Sequence, residues 1–276
     1  MANIVSLKDI KTEDVAIFYA PNENLLKRIY EPEPGLFIAE SPKVIARALD
    51  AGYEVFAGLF EEEKISGFND DLLSRIGDAT IYVASRQSML DITGYNFTGG
   101  ALCAFRRKKQ AKLEEIVLNS NKIVVMEHIE NPTNLGAIFR SAAALNIDAV
   151  ILSVDCTDPL YRRAIRVSMG NVFSIPWAFY GNTPDDWYET GMKKLSEMGY
   201  TTMAMALSDN SVGLGHDSLK GHQKIAIITG TEGDGLQKST IDASDYVVKI
   251  PMSNNVDSLN VAAASAVAFW ELAALH

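Results

Sequence analysis

The run KIVVMEH, Lys122 to His128, is apolar and rich in β-branched residues, as are the buried strands of parallel sheets. Similar runs follow it: AVILSV (149–154), FSIPWAFY (173–180), YTTMAMAL (200–207), KIAIITG (224–230) and YVVKI (246–250). Helical patterns separate them, and this alternation predicts an α/β fold with a parallel sheet covered on both faces. In such sheets ligands bind beyond the carboxyl ends of the strands. We therefore expect a site in the loops after residues 128, 230 and 250.

The chain before residue 115 also alternates short apolar runs with helical patterns. GLFIAE (35–40) has the character of a strand. SPKVIARALDAG (41–52) has that of a helix, with Ser41 as its N-cap and Pro42 at its first position. Further strands are predicted in YEVFAGLF, TIYVAS and GALCAF. We expect two domains, a smaller α/β domain over residues 1–114 and a larger one over residues 115–276.

The net charge of −10 over 276 residues argues against a protein coated with phosphate-binding side chains. Basic residues are nevertheless concentrated in RRKKQAK (106–112) and in YRRAIR (161–166). A nucleic-acid partner would have to be held by such local patches.

The sequence favours a cytoplasmic protein without a metal. No apolar run reaches the length that spans a bilayer, and the N-terminus lacks the basic and apolar regions of a secretory signal. Cys103 and Cys156 lie far apart and indicate reduced thiols. Metal-ligand spacing is absent from the four histidines, His128, His216, His222 and His276.

The first loop, NPTNLGAIFR (131–140), opens a helix. With Asn134 as the N-cap, the buried face comprises Leu135, Ile138, Phe139 and Ala142. Arg140 would then stand on a surface of glycine and alanine, where a bulky ligand could approach. The alternative is an arginine paired with Glu127 or Glu130.

The second loop, IITGTEGDGL (227–236), leads from a strand into a helix. Its glycines permit positive φ and close contact between a ligand and the backbone. Glu232 and Asp234 would repel a pyrophosphate and would suit a ligand with a positive centre. The alternative is a tight turn with a solvated glutamate.

The third loop follows the strand that ends at Ile250 and Pro251. Ser258 is the predicted N-cap of a helix that begins at Leu259 and has few polar residues. Such a helix is covered on nearly all sides, which suggests burial against a partner subunit as well as the sheet. A plain core helix in a monomer is the alternative.

The three loops, in this order, resemble the motifs of the SPOUT-class 2′-O-ribose RNA methyltransferases, in the SpoU/TrmH branch. NPTNLGAIFR is similar to that family's first motif, GTEGDGL to its second and IPMSNNVDSLNVAAA to its third. The resemblance covers about residues 115–276. It is weaker before them, where GLFIAESPKVIARAL and LDITGYNFTGGALCAF resemble the family's ribosomal-protein-like RNA-binding domain.

The resemblance implies a catalytic domain with a deep trefoil knot, which binds S-adenosylmethionine and works as a homodimer. The cofactor residues that it implies are Thr229, Gly230, Glu232, Gly233, Ile250, Met252, Ser258 and Leu259. It also implies that the Arg140 side chain acts across the subunit interface.

The implied reaction is methyl transfer to a ribose 2′-hydroxyl of ribosomal or transfer RNA. Arg140 would take the proton of the hydroxyl or stabilise the charge left behind; the second role suits a guanidinium, which stays charged in proteins. The other catalytic positions implied are Asn131, Glu232, Ser258 and Asn260. Two alternatives remain: an RNA-binding module that has lost transfer activity, and a nucleotide-binding oxidoreductase, for which HIENPTNLG is a poor glycine-rich turn.

RNA is expected to dock on the two basic patches and to be recognised by shape and exposed nucleotides. The residues concerned are Arg106, Arg107, Lys108, Lys109, Arg162, Arg163 and Arg166.

Overall fold

A computed structural model describes residues 3–6, 15–19, 35–68, 70–95, 98–254 and 256–273. His276 and most of the N-terminal stretch considered for a secretory signal lie outside these residues. The described chain forms two compact units: one runs up to Lys109 and includes Leu160–Phe173, and the other comprises Gln110–Pro159 and the chain from Ser174 onward. The predicted division at residues 114 and 115 stays a prediction, while Leu160–Phe173 packs with the first unit.

The strands and helices follow the predicted alternation closely. In chain order the strands are β1 (Asn3–Ser6), β2 (Leu36–Glu40), β3 (Val55–Glu61), β4 (Thr80–Ala84), β5 (Ala101–Arg106), β6 (Lys122–Met126), β7 (Ala149–Ser153), β8 (Trp177–Tyr180), β9 (Thr201–Met205), β10 (Val212–Gly213), β11 (Ile225–Thr229) and β12 (Tyr246–Lys249). The α-helices are α1 (Pro42–Asp50), α2 (Glu62–Ile65), α3 (Asp70–Arg75), α4 (Arg86–Thr93), α5 (Leu113–Val117), α6 (Pro132–Ala144), α7 (Arg162–Val167), α8 (Pro184–Asp186), α9 (Met192–Glu197), α10 (Lys238–Ala243) and α11 (Val261–Leu272).

The first unit is built on a mixed five-stranded sheet in the order β1-β4-β3-β5-β2. Strand β4 runs parallel to β1 and β3, whereas β5 runs antiparallel to β2 and β3. The segment with α7 joins this unit through Arg162, which pairs with Glu40 and lies 4.5 Å over the Tyr95 ring. The α/β character expected for the N-terminal part is present, but Ser41 makes no capping hydrogen bond through its side chain.

The second unit contains a seven-stranded sheet in the order β10-β12-β9-β11-β6-β7-β8. Every pairing is parallel, as predicted from the β-branched runs. Ile123, Val125, Ile151 and Ile228 are fully buried in one core cluster. Val124 and Ile227, whose side chains alternate with theirs along the strands, are also fully buried, as expected for a sheet covered on both faces. The trefoil knot stays a prediction.

The starts of two helices differ from the predicted ones. Asn131, not Asn134, caps α6, and its Oδ1 accepts a hydrogen bond from the Thr133 N–H at 2.8 Å. Pro132 then occupies the first position, where its missing N–H costs nothing. Asn260, not Ser258, caps α11, with its Oδ1 3.0 Å from the Ala262 nitrogen. Both loops offer more than one capping residue. In the first, Asn134 bonds Asn260 instead of capping the helix.

Within the described ranges, no helix has both the length and the apolar character needed to cross a membrane.

Candidate active site

A cavity of about 670 Å³ lies in the second unit beyond the carboxyl ends of β9, β11 and β12. Its volume is that of a site for a small molecule or cofactor. All eight residues predicted to hold the cofactor line it: Thr229, Gly230, Glu232, Gly233, Ile250, Met252, Ser258 and Leu259. Their role in binding stays a prediction, but the fold brings them to one place.

The glycine-rich loop after β11 folds back on itself. Thr231 and Gly235 form an isolated antiparallel bridge. A Cβ atom on Gly230 would lie 2.5 Å from the carbonyl carbon of Gly235, closer than any side chain tolerates. Gly233 and Gly235 have φ angles of +95° and +71°, which favour glycine. The loop therefore presents its backbone and the exposed side chains of its tip to the cavity.

The charge of the lining favours a cationic ligand. Glu232, Asp234 and Asp257 line the cavity and are exposed, and Lys249 is the basic residue of the described lining. Apolar side chains, among them Met205, complete the wall. The described lining thus carries three carboxylates and one ammonium group. This negative balance suits a molecule with a positive centre and disfavours a polyphosphate.

The Asn260 side chain connects all three loops. Its Nδ2 donates to Asn134 Oδ1 at 3.1 Å and to a carboxylate oxygen of Glu232. Its Oδ1 caps α11. Asn134 is 8% exposed, so its amide depends on this protein partner.

Asn134 is a site residue that sequence reasoning missed. Its side chain lies at the junction of the loops, whereas Asn131 is exposed and serves as the cap of α6. A polar residue between the apolar positions of a helix was the available signal, because buried polar groups require partners.

Arg140 is exposed on α6, beside Ala143 and Ala144, which are also exposed. The alternative of an ion pair with Glu127 or Glu130 is wrong for the part of the chain that the structure describes: Glu127 is buried among other donors, and Glu130 lies 3.9 Å from His128. Arg140 and Asn131 are not part of the described lining of the cavity.

Both cysteines are free and buried, as expected for reduced thiols. The Cys156 thiol donates to the Met126 carbonyl at 3.2 Å, and burial raises its pKa to about 12. Burial also raises the pKa of Cys103. Neither thiol is a nucleophile at neutral pH, because the thiolate is the reactive form.

The basic residues predicted to bind RNA all lie in the first unit. Arg106 lies 4.9 Å over the Phe56 ring, and Lys108 donates to the Ala51 carbonyl at 2.6 Å. Arg162 is poorly accessible, because its side chain is 15% exposed and pairs with Glu40. The side chains of the others meet solvent to different extents, with Lys109, Arg163 and Arg166 exposed and Arg107 half-buried.

Comparison with known proteins places the chain among RNA methyltransferases. Residues 121–270 match the sequence profile of the SpoU rRNA Methylase family. An uncharacterized tRNA/rRNA methyltransferase of Mycobacterium bovis is 37% identical over 237 residues, 86% of this chain and 80% of the relative. A 23S rRNA (guanosine-2′-O-)-methyltransferase of Vibrio cholerae is 29% identical over 204 residues, 72% of this chain and 79% of the relative.

A solved structure is also similar in fold. The AdoMet-bound rRNA methyltransferase from Sinorhizobium meliloti superposes with a TM-score of 0.78 at 21% identity, over 98% of this chain and 97% of that one. The matched sequence profile agrees with the order of the three motifs and with the parallel sheet that brings them together. The chain belongs to the SpoU rRNA methylase family.

Proposed function

We propose that this protein transfers a methyl group from S-adenosylmethionine to a ribose 2′-hydroxyl of structured RNA, ribosomal or transfer. The observation that carries the proposal is the Asn260 amide, which joins Asn134 and Glu232 at the edge of the cavity. Family membership supports the reaction class. The name of the Vibrio cholerae relative, a guanosine-2′-O-methyltransferase, supports the ribose hydroxyl as acceptor.

The residues around the cavity fit S-adenosylmethionine, which when bound supplies an activated methyl group on a positively charged sulfur. The backbone at Gly230, Ile250 and Leu259 and the side chains of Thr229 and Ser258 would hold it. The carboxylates of the lining compensate its positive charge. Met252 and Gly233 also line this cavity.

Arg140 acts on the RNA. We assign it the electrostatic role, stabilising the charge that develops on the 2′-oxygen or gripping the neighbouring phosphate in a bidentate manner, because a guanidinium remains protonated. Its exposure and its alanine neighbours leave room for a nucleotide. Asn131 supports this role indirectly by fixing the start of α6.

The active unit is a homodimer in which Arg140 serves the cavity of the partner subunit. Two observations support it: Arg140 is outside the described lining of its own cavity, and α11 exposes Val267 and Trp270 at 41% and 57%. The two side chains are neighbours on one face of the helix, and a contiguous exposed apolar patch marks an interaction surface. The trefoil knot and the ribosomal-protein-like RNA-binding domain over residues 1–114 belong to the same proposal.

RNA docks on the exposed basic residues of the first unit, chiefly Lys109, Arg163 and Arg166. The acidic balance of the chain confines phosphate contacts to such patches. Because α7 is fixed to that unit through Arg162, its neighbours Arg163 and Arg166 have a defined position.

Thermal shift and methyl transfer test the proposal. At a concentration about 100 times its Kd, S-adenosylmethionine should raise the unfolding temperature by about 5 °C or more, whereas NAD should not. Labelled methyl groups should then appear on ribosomal or transfer RNA from cells that lack the gene, and mapping of 2′-O-methylated positions identifies the nucleotide. RNA binding without a response to S-adenosylmethionine would favour a non-catalytic module.

A further inference from the structure

Glu127 directly follows β6, and its carboxylate lies outside the three loop motifs described above. Glu127 is 1% exposed. No lysine or arginine pairs with it in the ranges that the structure describes, so three neutral donors satisfy its charge. A buried carboxylate is costly unless such bonds are complete.

The three donors come from separate elements. Oε2 accepts from the Trp187 indole N–H at 2.9 Å and from the Thr240 hydroxyl at 2.6 Å. Oε1 accepts from the Gln237 backbone N–H at 2.6 Å. Trp187 opens a π-helical turn that ends at Gly191, where any Cβ atom would overlap the Trp187 ring. The turn is thus shaped to deliver the indole N–H.

These bonds hold one end of the glycine-rich loop. Gln237 follows directly on Leu236, which lines the cavity, and it occupies the N-cap position of α10, the helix that carries Thr240. The other end of the loop continues β11, which pairs with β6, and Glu127 itself donates its N–H to the Thr229 carbonyl at 2.9 Å. Glu127 therefore contacts the chain on both sides of the loop.

We propose that Glu127 is a positioning residue for the cofactor cavity: it fixes the exit of the loop 230–236 and so sets the geometry in which the loop binds S-adenosylmethionine. This inference rests on the proposed function. A carboxylate is required because both oxygens face donors, and an amide in its place would turn an NH₂ group toward at least one of them.

Glu127→Gln and Thr240→Val test the inference in the full-length protein. By calorimetry, we expect Glu127→Gln to raise the Kd for S-adenosylmethionine about tenfold or more and Thr240→Val about threefold to tenfold, since each removes hydrogen bonds to a charged group. The double variant should lose less than the product of the two effects, because both changes weaken the same hydrogen-bonded cluster around residue 127. In steady-state assays the KM for S-adenosylmethionine should rise while the KM for RNA does not.

Thr202→Val is the matched control. Thr202 is also a buried threonine whose hydroxyl donates to a carboxylate, Asp245, at 2.8 Å, but it lies at the amino end of β9, away from the cavity. Because the Thr202 hydroxyl also accepts from the Asp245 N–H, Thr202→Val should lower the unfolding temperature at least as much as Thr240→Val does, and it should leave the Kd within about twofold of wild type. Equal Kd values for wild type, Thr240→Val and Glu127→Gln would overturn the inference and leave Glu127 a purely structural residue.

Hydrogen exchange separates this inference from the proposed function. Without any cofactor, Glu127→Gln or Thr240→Val should accelerate amide exchange in residues 230–238 and leave residues 201–205 unchanged, whereas unchanged exchange in the loop contradicts the inference. If Glu127→Gln does not fold, Thr240→Val carries both measurements. A wild-type protein that fails to bind S-adenosylmethionine would refute the proposed function, while the exchange data still decide whether Glu127 positions the loop.

Discussion

The Asn260 amide donates to Asn134 Oδ1 over 3.1 Å and so joins the first turns of two helices whose residues are 126 positions apart. The same nitrogen donates to Glu232 on the glycine-rich loop. One side chain thereby caps α11 and aligns the three loops that border the cavity. Variants at residue 260 can separate these two tasks.

Asn260→Asp should retain the cap of α11 and abolish the hydrogen bonds to Asn134 and Glu232 that align the loops. An aspartate accepts from the Ala262 N–H as well as an asparagine does, but it cannot donate to Asn134 and it repels Glu232. We expect a fall in methyl transfer of about 100-fold, because two hydrogen bonds, one to a charged group, are lost.

Asn260→Ala provides the comparison for the cap. Because Asn260→Asp also loses the bond to Asn134, Asn260→Ala should be about 1 kcal/mol less stable than Asn260→Asp in urea, through the loss of the cap of α11. Wild-type transfer rates in Asn260→Asp would contradict the alignment role.

Arg140→Ala should lose methyl transfer by about 1000-fold, as expected when a group that stabilises developing charge is removed. The unfolding temperature should change little, because Arg140 is exposed and has no ion pair in the described part of the chain. Arg140→Lys should recover only part of the rate, since it keeps the charge but not the planar fork. Near-wild-type methylation by Arg140→Ala would refute the role.

Mixed dimers test whether Arg140 acts across the subunit interface. Arg140→Ala and Asn260→Asp subunits are each expected to be inactive alone. After mixing and exchange, half of the dimers carry one intact composite site, so activity should return to about one quarter of wild type. No recovery, with exchange verified by mass spectrometry of tagged subunits, would assign Arg140 to the cavity of its own chain.

Gly230→Ala should disrupt the glycine-rich loop. The added Cβ would lie 2.5 Å from backbone atoms of Gly235, which have no flexible side chain to move aside. We expect the free energy of unfolding to fall by about 2–3 kcal/mol. Binding of S-adenosylmethionine, measured by calorimetry, should be lost. Gly213→Ala is the control, because its Cβ would meet Pro251 at an ordinary 3.6 Å.

Ionisation of the Tyr200 hydroxyl should lower the free energy of unfolding at alkaline pH. Its hydroxyl donates to the Ser120 carbonyl at 2.6 Å, and burial, with a smaller contribution from Asp148, raises its pKa to about 12 from the ordinary value of 10. Between these values the folded state binds the phenolic proton more tightly than the unfolded state, so its contribution is complete below pH 10 and is lost toward pH 12.

Tyr200→Phe measures this contribution. At pH 8 the variant should be about 1–2 kcal/mol less stable in urea, because the Ser120 carbonyl loses its partner. The difference from wild type should shrink as the pH rises from 10 to 12. A difference that stays constant over that range would contradict the assigned pKa.

Much of the fold and of the cavity could be predicted from local patterns. The β-branched run at Lys122–Met126 became a central strand, and the residues predicted to bind the cofactor line one cavity because parallel strands end at the same edge. The helix caps were less predictable, since Ser258 and Asn260 are both suitable chemically. Arg162 was expected on an RNA surface, yet Glu40, 122 residues away, holds it.

The sequence by itself determined the alternation of strands and helices, the three loops and the acidic character of the cavity, because periodicity, turn residues and charge are local properties. Only the tertiary structure decided that Asn134 meets Asn260 and that Glu127 meets Thr240, 113 residues further along the chain. Those contacts depend on the order of strands in the sheet, which puts β11 beside β6. Strand order is set by the packing of the whole domain, and no local pattern encodes it.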